Sequence, residues 1–333
     1  MRTEQHRIGA TDGVELFVIN RSPTRRLEGS PTVVLAHGYA LDHRYWHYQA
    51  DALVEAGYRV VLWDQRGHGR STGAKSNAYS VKGLGDDLAL LISEVIPQGP
   101  IVLIGHSMGG MTVMAYAGSH LEEFAQRIVG VGLISTSAGD LDKVNWGLGE
   151  RGGALLAKGL TALVTTFVPH QQFVRRFHRI CGPLERPLYG MSAYGSLVPE
   201  AELELNAQML METDLAILPG FADALRVHDE RASIGVMADL PGLILVGEED
   251  VLTPPWHSEA LSAHLPNAEL VRVAAAGHII ALEHPEIVNE EFLRLLARVQ
   301  GNLEVAKPIV SRKIIDRRPL RGIPKVGLRQ SVS

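Results

Sequence analysis

Residues 101–117 read Ile-Val-Leu-Ile-Gly-His-Ser-Met-Gly-Gly-Met-Thr-Val-Met-Ala-Tyr-Ala. An apolar run of four enters Gly105-His106-Ser107-Met108-Gly109, and a run of small and apolar residues leaves it. A strand that turns sharply into a helix is the setting in which a serine is presented as a nucleophile on a strained backbone. Side chains beside such a turn crowd it, so glycine at Gly105 and Gly109 relieves the clash. A second Gly-x-Ser-x-Gly, Gly69-Arg70-Ser71-Thr72-Gly73, lies between loop-like residues on both sides. It reads as an incidental turn, and Ser107 is the candidate nucleophile.

Working outward, further short apolar runs occur at 32–36 (TVVLA), 59–63 (RVVLW), 129–134 (VGVGLI), 243–246 (LILV) and 270–273 (LVRV). With 101–104 they predict strands buried on both faces, as a parallel sheet covered by helices requires. Helix-like stretches fall between them at 46–56, 80–95, 109–118, 255–264 and 285–299. The alternation predicts an α/β fold with right-handed crossovers. Residues 14–20 (VELFVIN) alternate and predict an antiparallel edge pair. From 140 to 239 no buried strand is readable, and patches at 153–167 and 201–211 predict a helical insertion.

A serine hydroxyl needs a base, and the base needs an orienting acid. Of 14 histidines, His278 comes after the run 270–273 in Ala276-Gly277-His278, where the end of a strand would present it. His257, His264 and His284 fall in helix-like segments and are expected to be solvated. The run 243–246 leads into Gly247-Glu248-Glu249-Asp250. Asp250 has the favoured offset, with Glu248 and Glu249 as alternatives. The order Ser107, Asp250, His278 suits such a fold. Oxyanion donors are expected from the backbone N–H groups of Met108, at a helix start, and Tyr39, in the loop after 32–36. His37 is expected to hold that loop.

These residues resemble the α/β-hydrolase superfamily over about residues 5–300. The resemblance rests on His37-Gly38, the stretch 64–71 (DQRGHGRS), Gly105-His106-Ser107-Met108-Gly109-Gly110, Gly247-x-x-Asp250 and Gly277-His278. The Gly-His-Ser-Met-Gly-Gly form is similar to monoacylglycerol lipases, carboxylesterases and serine aminopeptidase-like hydrolases. The resemblance implies that 64–71 is a structural turn and that the insertion is a helical cap over the active site. Serine at position 107 argues against the epoxide hydrolases and haloalkane dehalogenases, which place aspartate there. The expected activity is ester hydrolysis through an acyl-enzyme, without metal or organic cofactor. Alternatives on the same residues are a thioesterase, an acyltransferase or a cofactor-free perhydrolase of the haloperoxidase type; from another class, a ligand-binding receptor. The patch Leu155, Leu156, Leu160, Leu163, Val164 and Phe167 could line an apolar acyl pocket, or be ordinary helix packing.

Composition narrows the class. The chain of 333 residues is 46% hydrophobic and 21% charged, with a net charge of −5, which gives no general pull toward nucleic acid. Cys181 is the single cysteine, so neither an intramolecular disulfide nor a cysteine-rich metal site is available. Residues 1–13 are charged and carry no apolar run, and 152–169 is interrupted by Lys158. Neither a secretory leader nor a membrane span is expected, and the default compartment is the cytoplasm. The expected organisation is a core of 1–139 plus 240–304, a cap at 140–239 and a basic tail at 305–333. That tail holds eight basic residues and one acid, leaving 24 basic and 36 acidic side chains elsewhere. It is expected to be a solvated extension, or to dock on an anionic surface, an acidic partner or the acidic body itself.

Overall fold

The computed structural model describes residues 1–73, 79–144, 193–214, 216–301 and 312–314. Its strands are β1 (Arg2–Gly9), β2 (Glu15–Ser22), β3 (Thr32–Ala36), β4 (Arg59–Asp64), β5 (Ile101–His106), β6 (Ile128–Ile134), β7 (Gly242–Gly247), β8 (Ala268–Val273) and β9 (Arg312–Ile314). They form one sheet in the order β1-β2-β4-β3-β5-β6-β7-β8-β9. Pairing is antiparallel between β1 and β2 and between β2 and β4, and parallel from there on. All six apolar runs are strands of this sheet, within two residues at their ends, and the antiparallel pair is where the alternation at 14–20 placed it. This is an α/β-hydrolase fold.

Successive side chains on a strand face opposite ways, and each central strand is apolar in both directions because both faces are covered. Val34, Ala36, Ile101 and Leu103 belong to one apolar cluster, with Leu88, Ile92, Met111 and Met114. Val33, Leu35, Val102 and Ile104 belong to the other, with Ala50, Leu53, Phe292 and Leu296. The covering helices on the first face are α2 (Val81–Val95) and α3 (Met108–Ser119), and on the second α1 (His47–Glu55) and a long helix at Pro285–Val299. Each fully buried Leu- or Phe-sized side chain contributes about 1.5–3 kcal/mol. Ser80 caps α2 by accepting from the Gly83 N–H at 3.0 Å.

The remaining helices are α4 (Leu121–Arg127), α5 (Glu200–Glu212), α6 (Leu218–Val227), α7 (Arg231–Ile234), α8 (Pro255–Ser262) and α9 (Ile280–Glu283), with the helix at Pro285–Val299 as α10. Among the described residues of 140–239 there is no strand. The patch 155–167 and Cys181 lie outside the described residues. Among the described residues, no helix is long and apolar enough to cross a membrane.

At each end of the chain the sheet gains a strand that no apolar run marks. Residues 2–9 form a strand although they are polar, because β1 lies at the sheet edge and only Ile8 is buried. Most of the basic tail lies outside the described residues, but Arg312–Ile314 is not a solvated extension: it pairs in parallel with Val271–Val273, in line with the alternative of docking on the acidic body. Arg312 binds Glu291 at 2.5 Å and Glu269 at 3.0 Å, and Lys313 reaches Glu248 at 2.5 Å. Burial pushes the Glu291 carboxyl up, and Arg312 pulls against that. Removing residues 302–333 is therefore expected to bare the edge of β8 and to strip Arg312 from Glu269 and Glu291 and Lys313 from Glu248. The shortened chain should melt at lower temperature and self-associate on size exclusion. An unchanged melting curve and elution volume would show β9 to be dispensable.

Candidate active site

Ser107 sits between β5 and α3 with φ +53° and ψ −119°, a left-handed value that side chains other than glycine rarely hold. The strain is held from three sides. The Ser107 N–H donates to Ile134 O at 2.9 Å, and its carbonyl accepts from Gly110 N–H at 2.9 Å and from Thr136 Oγ1 at 2.7 Å. A Cβ on Gly105 would stand 2.2 Å from the Gly109 carbonyl oxygen, and one on Gly109 would stand 2.2 Å from that of Ala36. Gly109→Ala should therefore destabilise by about 3 kcal/mol or more, since backbone cannot step aside as a side chain can; denaturant unfolding reads this directly.

His278 and Asp250 come from the ends of β8 and β7. The His278 Nδ1–H donates to both Asp250 oxygens, at 2.9 and 3.0 Å, which leaves Nε2 as the nitrogen available to take a proton. Asp250 also accepts from the N–H groups of Leu252 and Thr253 and from Thr253 Oγ1, each at 2.9 Å. Burial opposes ionisation of Asp250, but His278 and the Thr253 donors outweigh it and hold the carboxyl below its ordinary range. Glu248, the neighbouring candidate, pairs instead with Lys313 and Arg272.

The serine turn and the histidine loop meet through His106. Its Nε2–H donates to the His278 carbonyl at 2.8 Å, and the two rings lie 4.8 Å apart. Burial, with His278 beside it, holds His106 well below the usual histidine range, so it is neutral. Gly38 packs on this ring, where a Cβ would stand 2.7 Å from His106 Nδ1.

The loop after β3 is held by His37. Its Nε2 accepts from the Gln65 N–H at 2.9 Å, so Nδ1 carries the proton given to Gly38 O at 2.7 Å. Among the described residues, the Tyr39 and Met108 N–H groups donate to no other group. Met108 lies in an apolar cluster with Leu84, Ile217, Leu218 and Phe221, against which Tyr39 and Tyr79 pack. The Tyr39 hydroxyl donates to Leu218 O at 2.8 Å. Residues 217–221 thus supply apolar surface beside the serine turn.

Ser71 is consumed by the fold: its hydroxyl donates to Asp64 O at 2.6 Å and accepts from the Phe17 N–H at 2.8 Å. Of the three histidines expected to be solvated, His264 is exposed, but His257 and His284 are buried. His257 lies on the inner face of α8, its Nδ1–H donating to Ser137 Oγ at 2.8 Å, and burial pushes it down to about 4. His284 joins α9 to α10 and points Nε2 at Ala275 O, 3.4 Å away. A helix-like pattern shows that a face exists, and packing decides which residues are on it.

Asp42, His43 and Asp64 bring ligand-type atoms within 4.8 Å of one another. These atoms are already engaged: Asp42 by the Arg44 guanidinium, and Asp64 by the His43 N–H and Nδ1–H and the Arg70 N–H. Sequence reasoning missed Thr253, Thr136 and Glu283. The last is a lone acid ending the apolar run 279–282, and that mismatch was the readable signal.

Residues 31–285 match the alpha/beta hydrolase fold family. The chain belongs to that family. A non-heme chloroperoxidase of Kitasatospora aureofaciens is 28% identical over 272 residues, covering 81% of this chain and 91% of the relative. A bifunctional esterase/perhydrolase of Acinetobacter calcoaceticus is 27% identical over 287 residues, covering 86% and 97%. Among solved structures, an esterase from Exiguobacterium antarcticum superposes with TM-score 0.69 at 20% identity, covering 88% of this chain and 99% of the other. This alpha/beta hydrolase therefore shares its fold with esterases and is related in sequence to non-heme haloperoxidases and perhydrolases.

Proposed function

We propose that the protein is a serine hydrolase of carboxylic esters, acting through an acyl-enzyme on Ser107. The observation that carries this reading is a strained Ser107 tied through His106 to a histidine whose Nδ1–H is committed to a buried carboxylate. In the proposed first half, Ser107 Oγ attacks the acyl carbon while His278 Nε2 takes its proton. Asp250 steadies the imidazolium, and the Tyr39 and Met108 N–H groups receive the oxyanion. The tetrahedral intermediate collapses, the bond to the leaving oxygen breaks, and His278 protonates the alcohol. Water then attacks the acyl-enzyme with His278 again as base, releasing the acid and restoring Ser107.

The relatives' names support a substrate with a carboxylic ester, and the apolar cluster around Met108 supports an apolar acyl part. Residues 140–239 are proposed as the cap on a core of 1–139 and 240–304; Tyr39 bonded to Leu218 supports contact between them. A second reading is favoured by the relatives described as haloperoxidase and perhydrolase. There hydrogen peroxide replaces water as the attacking group and a peracid leaves. The deciding experiment is labelling with a fluorophosphonate, comparing wild type with Ser107→Ala. Label on the wild type and none on the variant is the expected result, and an unlabelled wild type sinks the serine mechanism. Peroxide-dependent halogenation, assayed beside p-nitrophenyl ester turnover, separates the two readings.

A further inference from the structure

Five residues beyond His278 lies Glu283, a carboxylate at the end of the four-residue helix α9 whose side chain is fully buried. Its Oε2 accepts from the Gly277 N–H at 2.7 Å, and its Oε1 accepts from the Ser196 N–H at 2.5 Å and the Ser196 hydroxyl at 2.7 Å. Among the described residues, the side chain of cationic type that it meets is His284, 3.8 Å away. Burying a carboxylate costs several kcal/mol unless donors replace water. Here neutral N–H and O–H groups do so, and two of the three come from a segment remote in sequence.

That segment, 193–196, lies directly across the histidine loop. A Cβ on Gly277 would stand 2.6 Å from Gly195 N and 2.7 Å from Ala193 O, and Ile279 N–H donates to Ala193 O at 3.0 Å. The backbone on either side of His278 is therefore tied to 193–196, once directly at Ile279 and once through Glu283 at Gly277. The carbonyl of His278 itself is held by His106. Gly277 is the peptide immediately before the histidine, so a rotation there swings the imidazole relative to Asp250 and Ser107. Only an acceptor with two free oxygens satisfies both Gly277 and Ser196; a glutamine would turn a donor toward one of them.

We infer that Glu283 is a positioning residue for His278, its carboxylate strapping the histidine loop to segment 193–196 of the proposed cap. The inference rests on the serine-hydrolase reading for its kinetic consequences. Displacing a catalytic group by about 1 Å costs roughly 100-fold, and the strap acts on the base rather than on substrate binding. Glu283→Gln should therefore lower kcat on a p-nitrophenyl ester about 30- to 100-fold, with KM within about threefold of wild type. The rate of fluorophosphonate labelling should fall by the same factor. Ser196→Ala, which removes one of the three donors, should lower kcat about threefold, and the double variant should be no slower than Glu283→Gln alone, because the pair acts as one unit.

A folded Glu283→Gln protein, by circular dichroism, with wild-type kcat overturns the inference, as does a loss confined to KM. Should that variant not fold, Ser196→Ala decides: a fall in kcat at unchanged KM supports the strap, and wild-type kcat overturns it. The imidazole resonances of His278 give a readout independent of turnover. They should move in Glu283→Gln or Ser196→Ala even if the wild type takes no fluorophosphonate label, and unmoved resonances overturn the strap whatever the fate of the serine mechanism.

Discussion

Ser107→Ala is expected to lower kcat/KM for a p-nitrophenyl ester by about 10⁵-fold or more, which is roughly 7 kcal/mol of transition-state stabilisation. The variant should fold as the wild type does. The hydroxyl makes no structural bond among the described residues, and the turn is held by the backbone of Ser107 and by Thr136. On the proposed mechanism, removing Oγ leaves His278 with no proton to take and the acyl group with no covalent station, so the remaining activity is that of the oxyanion donors and of binding. Alanine at the same left-handed φ meets no new strain. A residual activity within tenfold of wild type would mean that Ser107 is not the nucleophile.

The second large effect is expected at Asp250. Asp250→Asn should reduce kcat by about 10⁴-fold, because an amide turned toward Nδ1 selects the tautomer whose Nε2 already carries a proton. In that state the proposed base cannot accept from Ser107. The same substitution disturbs the turn, since two N–H groups and a hydroxyl converge with the His278 Nδ1–H on the two carboxylate oxygens. The depressed carboxyl also sets a pH signature. Because the folded protein holds the Asp250 carboxyl below its ordinary value near 3.8, the proton binds the unfolded chain more readily. The stabilisation is full above about pH 4 and is lost as pH falls through the folded value. Wild type and Asp250→Asn should converge in urea midpoint as pH falls from 6 toward 2; a constant gap would show that the ionised carboxylate contributes nothing to stability.

Much of this site was legible one motif at a time. Gly105 to Gly109 announces a turn because the residue types themselves encode it: a strand-like run, two residues without Cβ, then a helix-compatible run. Asp250 and His278 are each marked by their offset from an apolar run, because a strand end delivers the next few residues to one edge of the sheet. Support is different in kind. Thr136 and Glu283 act by contacts spanning 29 and 87 positions, and no local pattern reports a contact of that range; Thr253 bonds Asp250 from three positions away, but only the fold brings that carboxylate to His278. The same distinction explains His257 and His284, whose histidine identity says nothing about which side of a helix meets the core.

The tail shows the division of labour most plainly. Composition established that residues 305–333 are basic and that the rest of the chain is acidic, since charge is a property of the residues wherever they lie. It could not say that Arg312–Ile314 would lengthen the sheet beside β8. That depends on where Glu248, Glu269 and Glu291 are brought together, from a loop, a strand and a helix. By itself the sequence determined the six apolar strands, the serine turn and the chemistry of its candidate partners, all of which are local or periodic. Only the tertiary structure decided which polar groups are buried, which bond each makes and which segment closes the sheet, because burial and pairing are properties of residues that meet only when the chain has folded.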